Sequence, residues 1–345
     1  MEKLLSRHST IPPLRGAGGC HCITSNLIRW RTRIEEHPPG PPQGGNIQNA
    51  GAFILFLVFL FFSLCHSQSA LVFQTDFGLQ DGAVACMKGV AFGVDPQLKM
   101  FDVTHEIPAY NIWEAAYQLK QTAPYWPSGT VFVSVVDPGV GTERKSIVMK
   151  TKTGHYFVTP DNGTLTLVAE DMGVAEVRLI DEKTNRLAGS EKSYTFHGRD
   201  VYAYTAARLA SGKISFEQVG PTRPAKVEMI AYEKPRFEQD AVLGTIPILD
   251  TQYGNIWTNV DEHTFLKLGV QLGESVWVQI KHEEKIVWEG KMPYVRTFGD
   301  VAVGEPLLYL NSLLCVSLAI NQDSFAAVHH IASGPNWRVR IAKAK

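Results

Sequence analysis

The stretch VSVVDPGVGTERKS (residues 133–146) joins an apolar strand to a short loop that carries opposite charges. The run of β-branched residues predicts a buried strand, and Asp137-Pro138-Gly139 ends it. Arg144 follows seven positions after Asp137, so the loop can bring its guanidinium back to the carboxylate. In a parallel sheet, ligands bind beyond the carboxyl ends of the strands. The stretch therefore indicates either a structural ion pair or part of a binding site.

On both sides of this stretch, strand-like and helical segments alternate along the chain. The pattern predicts strands at 70–75, 98–107 and 130–136, a hairpin through Lys152-Thr153-Gly154, and helices at 83–93, 111–126 and 199–212. Such alternation is typical of an α/β domain, a parallel-type sheet covered by helices, and we assign it to residues 70–220.

The pattern changes after Gly220. Residues 221–240 contain three prolines and no clear period, and they are interpreted as a linker. Residues 241–345 hold short strand-like segments, with one possible helical segment around 312–327. This predicts a small all-β barrel as the C-terminal domain.

Residues 1–69 differ from the rest and are predicted to be a leader. The part up to residue 51 is rich in Pro, Gly and Arg and has no period, which is typical of disorder. Segment 52–65 is an apolar run of 14 residues. It fits the h-region of a secretory signal, about 7–15 residues, better than a membrane span of about 20. We expect cleavage just before Ala70 and a secretory or extracellular location. The alternatives are an uncleaved membrane anchor and an organellar targeting segment.

Composition narrows the class of protein. The formal net charge is -1, and no basic stripe or RNA-binding motif is present, so nucleic acid is not an expected partner. Outside the leader only Cys86 and Cys315 remain, too few for a disulfide framework. The sequon Asn162-Gly163-Thr164 lies in a loop that follows a predicted strand.

Polar side chains follow several of the predicted strands. They are Asp76 and Asp81 after the first strand, Asp137 and Arg144 after the middle one, Asp161 and Asn162 after the hairpin, and His197 at the start of the last helix. Each has a structural alternative: a helix cap, an ion pair or a packed histidine. Residues 250–257 likewise have the composition of an ordinary turn. Their joint placement on loops at one sheet edge favours a site.

Two chemistries are compatible with these residues. Loop carboxylates with a histidine could hold a divalent metal ion and hydrolyse a phosphate ester. However, no HxH, HExxH or DxD pair is present, and Arg144 would compete with a cation for Asp137. The second chemistry is metal-free: Asp137, Arg144 and His197 position a water for attack on an activated carbon, with His197 accepting or relaying its proton.

Six motifs then suggest a family. TDFGLQDGAVACMKG, VDPGVGTERK, TPDNG, TFHGRD, DTQYGNIWTN and YLNS occur in this order between residues 70 and 345. Together they resemble the S-adenosyl-L-methionine (SAM) hydroxide adenosyltransferases, also called adenosine-forming SAM hydrolases, which are relatives of fluorinase and chlorinase. The resemblance implies a homotrimer with each active site between one subunit's first domain and its neighbour's barrel. The implied reaction is attack of water at the ribose C5′ of SAM, with no metal and no cofactor. A membrane is a partner only if segment 52–65 stays uncleaved.

The resemblance also implies roles for residues of the α/β domain. The catalytic Asp, Arg and His of the family fall on Asp137, Arg144 and His197. Asp76 matches the carboxylate that holds the ribose hydroxyls. Asp81 matches a further carboxylate of the pocket.

The other implied substrate-binding positions come from both domains. They are Tyr110 and Asn162 in the first domain, and Asp250, Asn255, Trp257 and Ser312 in the barrel. Asp250 matches a residue that grips the methionine amino group, and Asn255 one that binds the adenine edge. Trp257 matches an aromatic wall, and Ser312 a contact to the methionine carboxylate.

Two positions separate the branches of the family. Halogenases resemble this chain but carry a tyrosine at the position of Asp137 and a small hydroxyl residue at that of Gly198. The chain therefore resembles the water-using branch, with a metal-dependent hydrolase or a non-catalytic adenosine- or SAM-binding protein as alternatives. Leu314 and Asp323 stand where the family usually has glycines, and Tyr204 replaces a usual proline. Because of the first two departures, the resemblance does not fix the contacts to the methionine end of SAM, including the one matched to Ser312.

Overall fold

The computed structural model describes residues 69–344, which fall within one compact unit. The predictions for the leader, including segment 52–65, lie outside the described residues. Among residues 69–344, no helix is both long enough and apolar enough to cross a membrane.

The first part of the described chain builds a seven-stranded sheet. Its strands are β1 (Leu71–Thr75), β2 (Met100–Thr104), β3 (Val131–Val135), β4 (Ser146–Thr151), β5 (Tyr156–Pro160), β6 (Val174–Leu179) and β7 (Thr222–Arg223), in the order β2-β1-β3-β5-β4-β6-β7. β1 pairs in parallel with β2 and β3, and β3 pairs in parallel with β5. The predicted hairpin reverses the chain, so β4, β6 and β7 pair antiparallel. The sheet is therefore mixed, and the carboxyl ends of its parallel strands share one edge.

Helices cover both faces of the parallel strands. They are α1 (Ala83–Val94), α2 (Ile112–Thr122), α3 (Thr166–Met172) and α4 (Tyr204–Ala210). Every residue of β1 and β3 is buried. Leu71 and Phe73 share a core with α1 and α4, whereas Val72 shares one with α2 and α3. Burial on both faces explains why these strands have continuous apolar sequences.

Three parts of the α/β domain differ from the prediction. The last helix opens with a wider π turn, Gly198–Ala203, before α4 begins. Helix α3 and strand β6 were not predicted. α3 has only seven residues, about two turns, too short for a helical repeat to show in the sequence.

The segment 221–240 has a short strand at each end. β7 joins the first sheet, and β8 (Arg236–Glu238) pairs with β9 (Ala241–Ile246) of a second sheet. Between them, the amide of Glu228 donates to Asp161 Oδ1 at 2.8 Å. This stretch is therefore bound to the α/β domain as it crosses to the second domain.

The C-terminal part is built mainly of antiparallel strands. Besides β8 and β9, they are β10 (Ile248–Leu249), β11 (Ile256–Asp261), β12 (Ser275–His282), β13 (Lys285–Pro293), β14 (Pro306–Leu310), β15 (Cys315–Ile320) and β16 (Gly334–Lys343), with the short helices α5 (Glu262–Leu266) and α6 (Phe325–His329). The sheets β10-β11-β15-β14 and β13-β12-β16-β9-β8 share one apolar core. The predicted fold class, an α/β domain followed by a small all-β domain, is confirmed. The helix predicted around 312–327 is wrong over β15, whose alternating contacts across the sheet outweigh its helical spacing.

Candidate active site

Three parallel strands deliver polar side chains to one edge of the sheet. Asp76 directly follows β1, Asp137 lies two residues after β3, and Asp161 and Asn162 follow β5. Because these strands are parallel, all four residues lie beyond carboxyl ends. The structure therefore places these four of the predicted polar residues at one edge of the sheet.

Asp137 and Arg144 form a largely buried ion pair. Arg144 Nε lies 3.0 Å from both carboxylate oxygens of Asp137, and Nη2 lies 2.6 Å from Oδ2. The side chains are 6% and 11% exposed, respectively. Burial lowers the pKa of Arg144, but the hydrogen bonds to Asp137 together with the electrostatic effects of Tyr202, Asp137 and Glu182 outweigh it and raise the pKa. The loop between them thus holds a planar, charge-assisted array.

His197 joins this array through the same guanidinium. Arg144 Nη2 lies 3.0 Å from His197 Nδ1. A guanidinium has only donors, so Nδ1 is the acceptor and Nε2 carries the proton of the neutral ring. Burial lowers the pKa of His197; Glu182 opposes this, whereas the cations of Arg144 and Arg186 reinforce it. The neutral ring is therefore the prevailing form near pH 7.

A serine hydroxyl holds the other end of the guanidinium, and a tyrosine hydroxyl lies within hydrogen-bond distance of that serine. Arg144 Nη1 donates to Ser146 Oγ at 2.9 Å, and Ser146 Oγ lies 3.1 Å from the hydroxyl of Tyr202. The guanidinium carbon lies 5.6 Å from the centroid of the Tyr202 ring. Sequence reasoning missed both residues, because a serine at a strand start and a tyrosine in an apolar helix look structural. The two-residue spacing from Arg144 to Ser146 was the only available signal.

A cavity of about 260 Å³ opens beside the array. Asp76, Asp137 and His197 supply polar groups to its wall, and Phe77 and Tyr110 supply aromatic ones. Sites for small molecules usually measure about 300–1,000 Å³. This cavity is therefore small for a ligand of nucleoside size.

Tyr110 lies at the mouth of this cavity in an unusual backbone conformation. Its φ is 69°, in the left-handed region, and its side chain is 72% exposed. The amide of Tyr110 donates to Asp76 Oδ2 at 2.9 Å. Asp76 thus holds the backbone of Tyr110 next to its own carboxylate.

Gly198 packs tightly against the cavity wall. A Cβ atom at this position would lie 3.2 Å from two ring carbons of Phe77. Phe77 in turn contacts Phe196 edge-on, with ring centroids 5.9 Å apart. A larger residue at 198 would therefore displace the aromatic wall.

Two predicted residues of the α/β domain bind the protein itself. Asp81 Oδ1 accepts the amide of Ala83 at 2.8 Å, at the start of α1, and Asp81 does not line the cavity. Asn162 Nδ2 donates to Val136 O at 2.9 Å, and its Oδ1 accepts the hydroxyl of Thr164 at 2.7 Å. Asn162 therefore ties the loop after β5 to the residue that precedes Asp137.

None of the predicted residues of the C-terminal domain lines the cavity beside Asp137. Asp250 and Asn255 line a different cavity of about 740 Å³, where Asn255 Nδ2 donates to Asp250 Oδ2 at 3.0 Å. Trp257 packs against Tyr117 of α2, with ring centroids 6.3 Å apart. Ser312 is exposed in the turn after β14. Of the predicted residues, Asp76, Tyr110, Asp137 and His197 therefore line one cavity, and Asp250 and Asn255 line another.

The turn that carries Ser312 also contains the departure noted at Leu314. Leu314 has a φ of 55° and is 56% exposed. Glycine adopts this conformation without steric cost, whereas leucine does not. The backbone therefore keeps the shape of a glycine turn, and an exposed side chain is added to it.

Metal binding has little support from the donor set. Within the described part of the chain, no group of three or more His, Cys, Asp or Glu side chains could hold a metal ion. Both oxygens of Asp137 already accept hydrogen bonds from Arg144. A cation at Asp137 would have to displace the guanidinium.

Comparisons with known proteins agree with this architecture. Models of the SAM hydroxide adenosyltransferase N-terminal and C-terminal domains match residues 71–220 and 244–338. A Methanocaldococcus jannaschii protein named (R)-S-adenosyl-L-methionine hydrolase is 33% identical over 264 residues, covering 75% of this chain and 87% of the relative. A Salinispora tropica protein of the same name is 35% identical over 270 residues, with coverages of 77% and 96%. A fluorinase from Actinopolyspora mzabensis is 26% identical, with coverages of 79% and 98%.

Solved structures include similar folds. An uncharacterized conserved protein from Thermotoga maritima has a TM-score of 0.73 and 38% identity, covering 79% of this chain and 100% of that one. A conserved hypothetical protein from Thermus thermophilus has a TM-score of 0.60 and 28% identity, with coverages of 79% and 99%. The resemblance suggested by the six motifs is confirmed, and the chain belongs to the SAM hydroxide adenosyltransferase family.

Proposed function

We propose that this chain hydrolyses SAM to adenosine and L-methionine without a metal ion. The observation that carries the proposal is the array of Asp137, Arg144 and His197, which shares one cavity with Asp76. The family match and the relatives named as hydrolases support it.

The reaction is a displacement at carbon. The water oxygen forms a bond to C5′ of the ribose while the C5′–S bond breaks, and the electron pair of that bond stays on sulfur. A sulfonium cation thereby becomes the neutral thioether of methionine, and the water gives up one proton. Because the leaving group departs neutral, the protein needs to place the water in line with the bond rather than supply a Lewis acid.

The residues of the α/β domain divide this work. Asp76 is assigned to the two ribose hydroxyls, since a carboxylate can accept from both. Arg144 occupies Nδ1 of His197, so the ring meets the water as an Nε2–H donor and does not act as the first base. Asp137 is then the acceptor that faces the cavity. We assign to its carboxylate the proton that the attacking water gives up.

The rest of the site is assigned to a second copy of the chain. The cavity beside Asp137 is small, and Asp250 and Asn255 line a different one. We propose a homotrimer in which Asp250, Asn255, Trp257 and Ser312 of one subunit complete the site of the next. Asp250 and Ser312 would then bind the methionine end, while Asn255 and Trp257 would bind adenine.

The relatives' names also suggest which form of the substrate is used. The sulfonium centre is chiral, and two relatives at 33% and 35% identity are named for the (R) form. We propose that this chain too prefers (R)-SAM.

A direct assay tests these assignments. The purified protein is incubated with each SAM epimer in the presence of EDTA, and adenosine and methionine are quantified. We expect stoichiometric products, faster from (R)-SAM, and a loss of at least about 100-fold in Asp137→Ala and Arg144→Ala, since each leaves a buried charge unpaired.

Other outcomes would point to the alternatives. Product only after addition of Mg²⁺ or Mn²⁺ would favour a metal-dependent hydrolase. Tight binding of SAM without turnover, unchanged by both substitutions, would favour a binding protein. A halogenated nucleoside formed with chloride or fluoride would place the chain with the fluorinase relatives.

A further inference from the structure

We propose that Ser146 and Tyr202 are positioning residues that orient the guanidinium of Arg144 and, through it, hold His197 in its hydrogen-bonding state. This inference deepens the proposed function, and its activity readout rests on that function. Neither residue is in the set that touches the cavity.

The guanidinium of Arg144 donates to other acceptors besides the carboxylate of Asp137. Nε and Nη2 face Asp137, and Nη2 also donates to His197 Nδ1. One nitrogen therefore serves two acceptors, at 2.6 Å and 3.0 Å. Nη2 has one N–H bond for each acceptor. A rotation of the group in its plane would lengthen at least one of these contacts, and a further contact at Nη1 would resist that rotation.

Ser146 provides that contact at Nη1. Its hydroxyl lies 2.9 Å from Nη1, and the residue is buried at the first position of β4. The Ser146 hydroxyl is itself fixed by Tyr202, whose oxygen lies 3.1 Å away. Tyr202 is fully buried, so water does not compete for this bond.

Tyr202 acts on the guanidinium a second time through its ring. The guanidinium carbon lies 5.6 Å from the ring centroid, within the range of a cation–π contact. The hydroxyl of Tyr202 thus fixes Ser146, and the aromatic ring of Tyr202 contacts the guanidinium that Ser146 binds.

The π turn explains how one segment supplies both His197 and Tyr202. The two residues are five positions apart, which on an α-helix would separate them by about 140° around the axis. The wider π turn, Gly198–Ala203, closes over five residues and directs both toward Arg144. Tyr202 also belongs to the apolar core, so the test must separate positioning from packing.

The variants are Tyr202→Phe, which keeps the ring and removes the hydroxyl, and Ser146→Ala, with Ser146→Thr as the conservative rescue. Tyr156→Phe is the matched control, because Tyr156 lies on β5 and its ring packs against Phe216. The first readout is the titration of the His197 imidazole followed by NMR in the substrate-free protein. Besides Arg144, the charged groups that act on His197 are Asp137, Glu182 and Arg186, and no variant alters them.

We expect His197 to titrate at higher pH in Tyr202→Phe and Ser146→Ala, because a loosened Arg144 frees Nδ1 and moves its charge away. We also expect kcat to fall about tenfold with KM little changed, and Ser146→Thr and Tyr156→Phe to resemble wild type. An unchanged His197 titration in both variants would overturn the inference. If wild type does not hydrolyse SAM, the proposed function fails, whereas the titration still decides the positioning role.

Discussion

The imidazole of His197 is held by a neighbour that stays protonated throughout the physiological range. Arg144 binds Nδ1, and Asp137 binds Arg144, so the three side chains form one unit. Protonation of His197 would remove the acceptor at Nδ1 and set a second cation beside Arg144. The state of this one ring should therefore govern the pH dependence of the reaction.

We expect kcat/KM to be level at neutral pH and to fall as pH is lowered through the pKa of His197. Burial places this pKa below its ordinary value of 6.5, so the acid limb should lie below pH 6.5. A pH–rate profile of the SAM reaction measures it. Glu182→Gln is the companion variant: it removes a carboxylate that raises the pKa of His197, so its acid limb should lie lower still. A rate that increases on acidification would contradict this account.

The sequence indicated the charged residues of the array, Asp137 and Arg144. It did not indicate Ser146 and Tyr202, the uncharged residues that contact Arg144. The spacing from Asp137 to Arg144 was visible in the printed sequence. The roles of Ser146 and Tyr202 were not, because they depend on a strand and a π turn that meet only in the folded chain. Asp81 shows the reverse case, since its carboxylate accepts the first backbone amide of a helix although its motif suggests a pocket.

Among the elements, the π turn at the start of the last helix contributes most to the site. It begins at Gly198, next to His197, and packs against Phe77 of the loop after β1. The sequence predicted a helix here but could not predict its wider first turn. The spacing of apolar residues does not show whether backbone hydrogen bonds join residues four or five positions apart. In the sequence, the predicted hairpin was likewise the only sign that the sheet contains antiparallel as well as parallel pairs.

Gly198→Ser tests the contact between this turn and the cavity wall. The added side chain starts 3.2 Å from Phe77, so the ring must move. We expect kcat to fall by about tenfold, the cost of about 1.4 kcal/mol in the transition state, with the fold retained. Gly82→Ser is the control, because a Cβ there meets nothing within 4 Å. Equal activities of the two variants would show that the wall tolerates the shift.

In the whole molecule, predicted residues line two different cavities: Asp76, Tyr110, Asp137 and His197 line the one beside the array, and Asp250 and Asn255 line the other. The sequence predicted both sets of residues through the family motifs, but no local pattern indicates how far apart they lie in one chain. Residues 221–240 connect the two domains and bind to both of them. The proposed trimer would join the sets of different subunits.

Co-expression of two inactive variants tests this arrangement. In trimers with head-to-tail interfaces, Asp137→Ala and Asp250→Ala chains mixed equally should regain about a quarter of the wild-type activity. Three-quarters of random trimers are mixed, and each of these has one intact site in three. Asp137→Ala mixed with His197→Ala should regain none, because both changes lie in the same domain. Absence of recovery in the first mixture would contradict shared sites.

The small size of the cavity beside Asp137 has a consequence for control of the enzyme. If each site needs two chains, the fraction of working sites depends on the abundance of the protein. Dilution would then silence the activity of chains that remain folded, and any process that gathers or scatters the chains would act as a switch. Local abundance would thus set the rate of turnover without any separate effector.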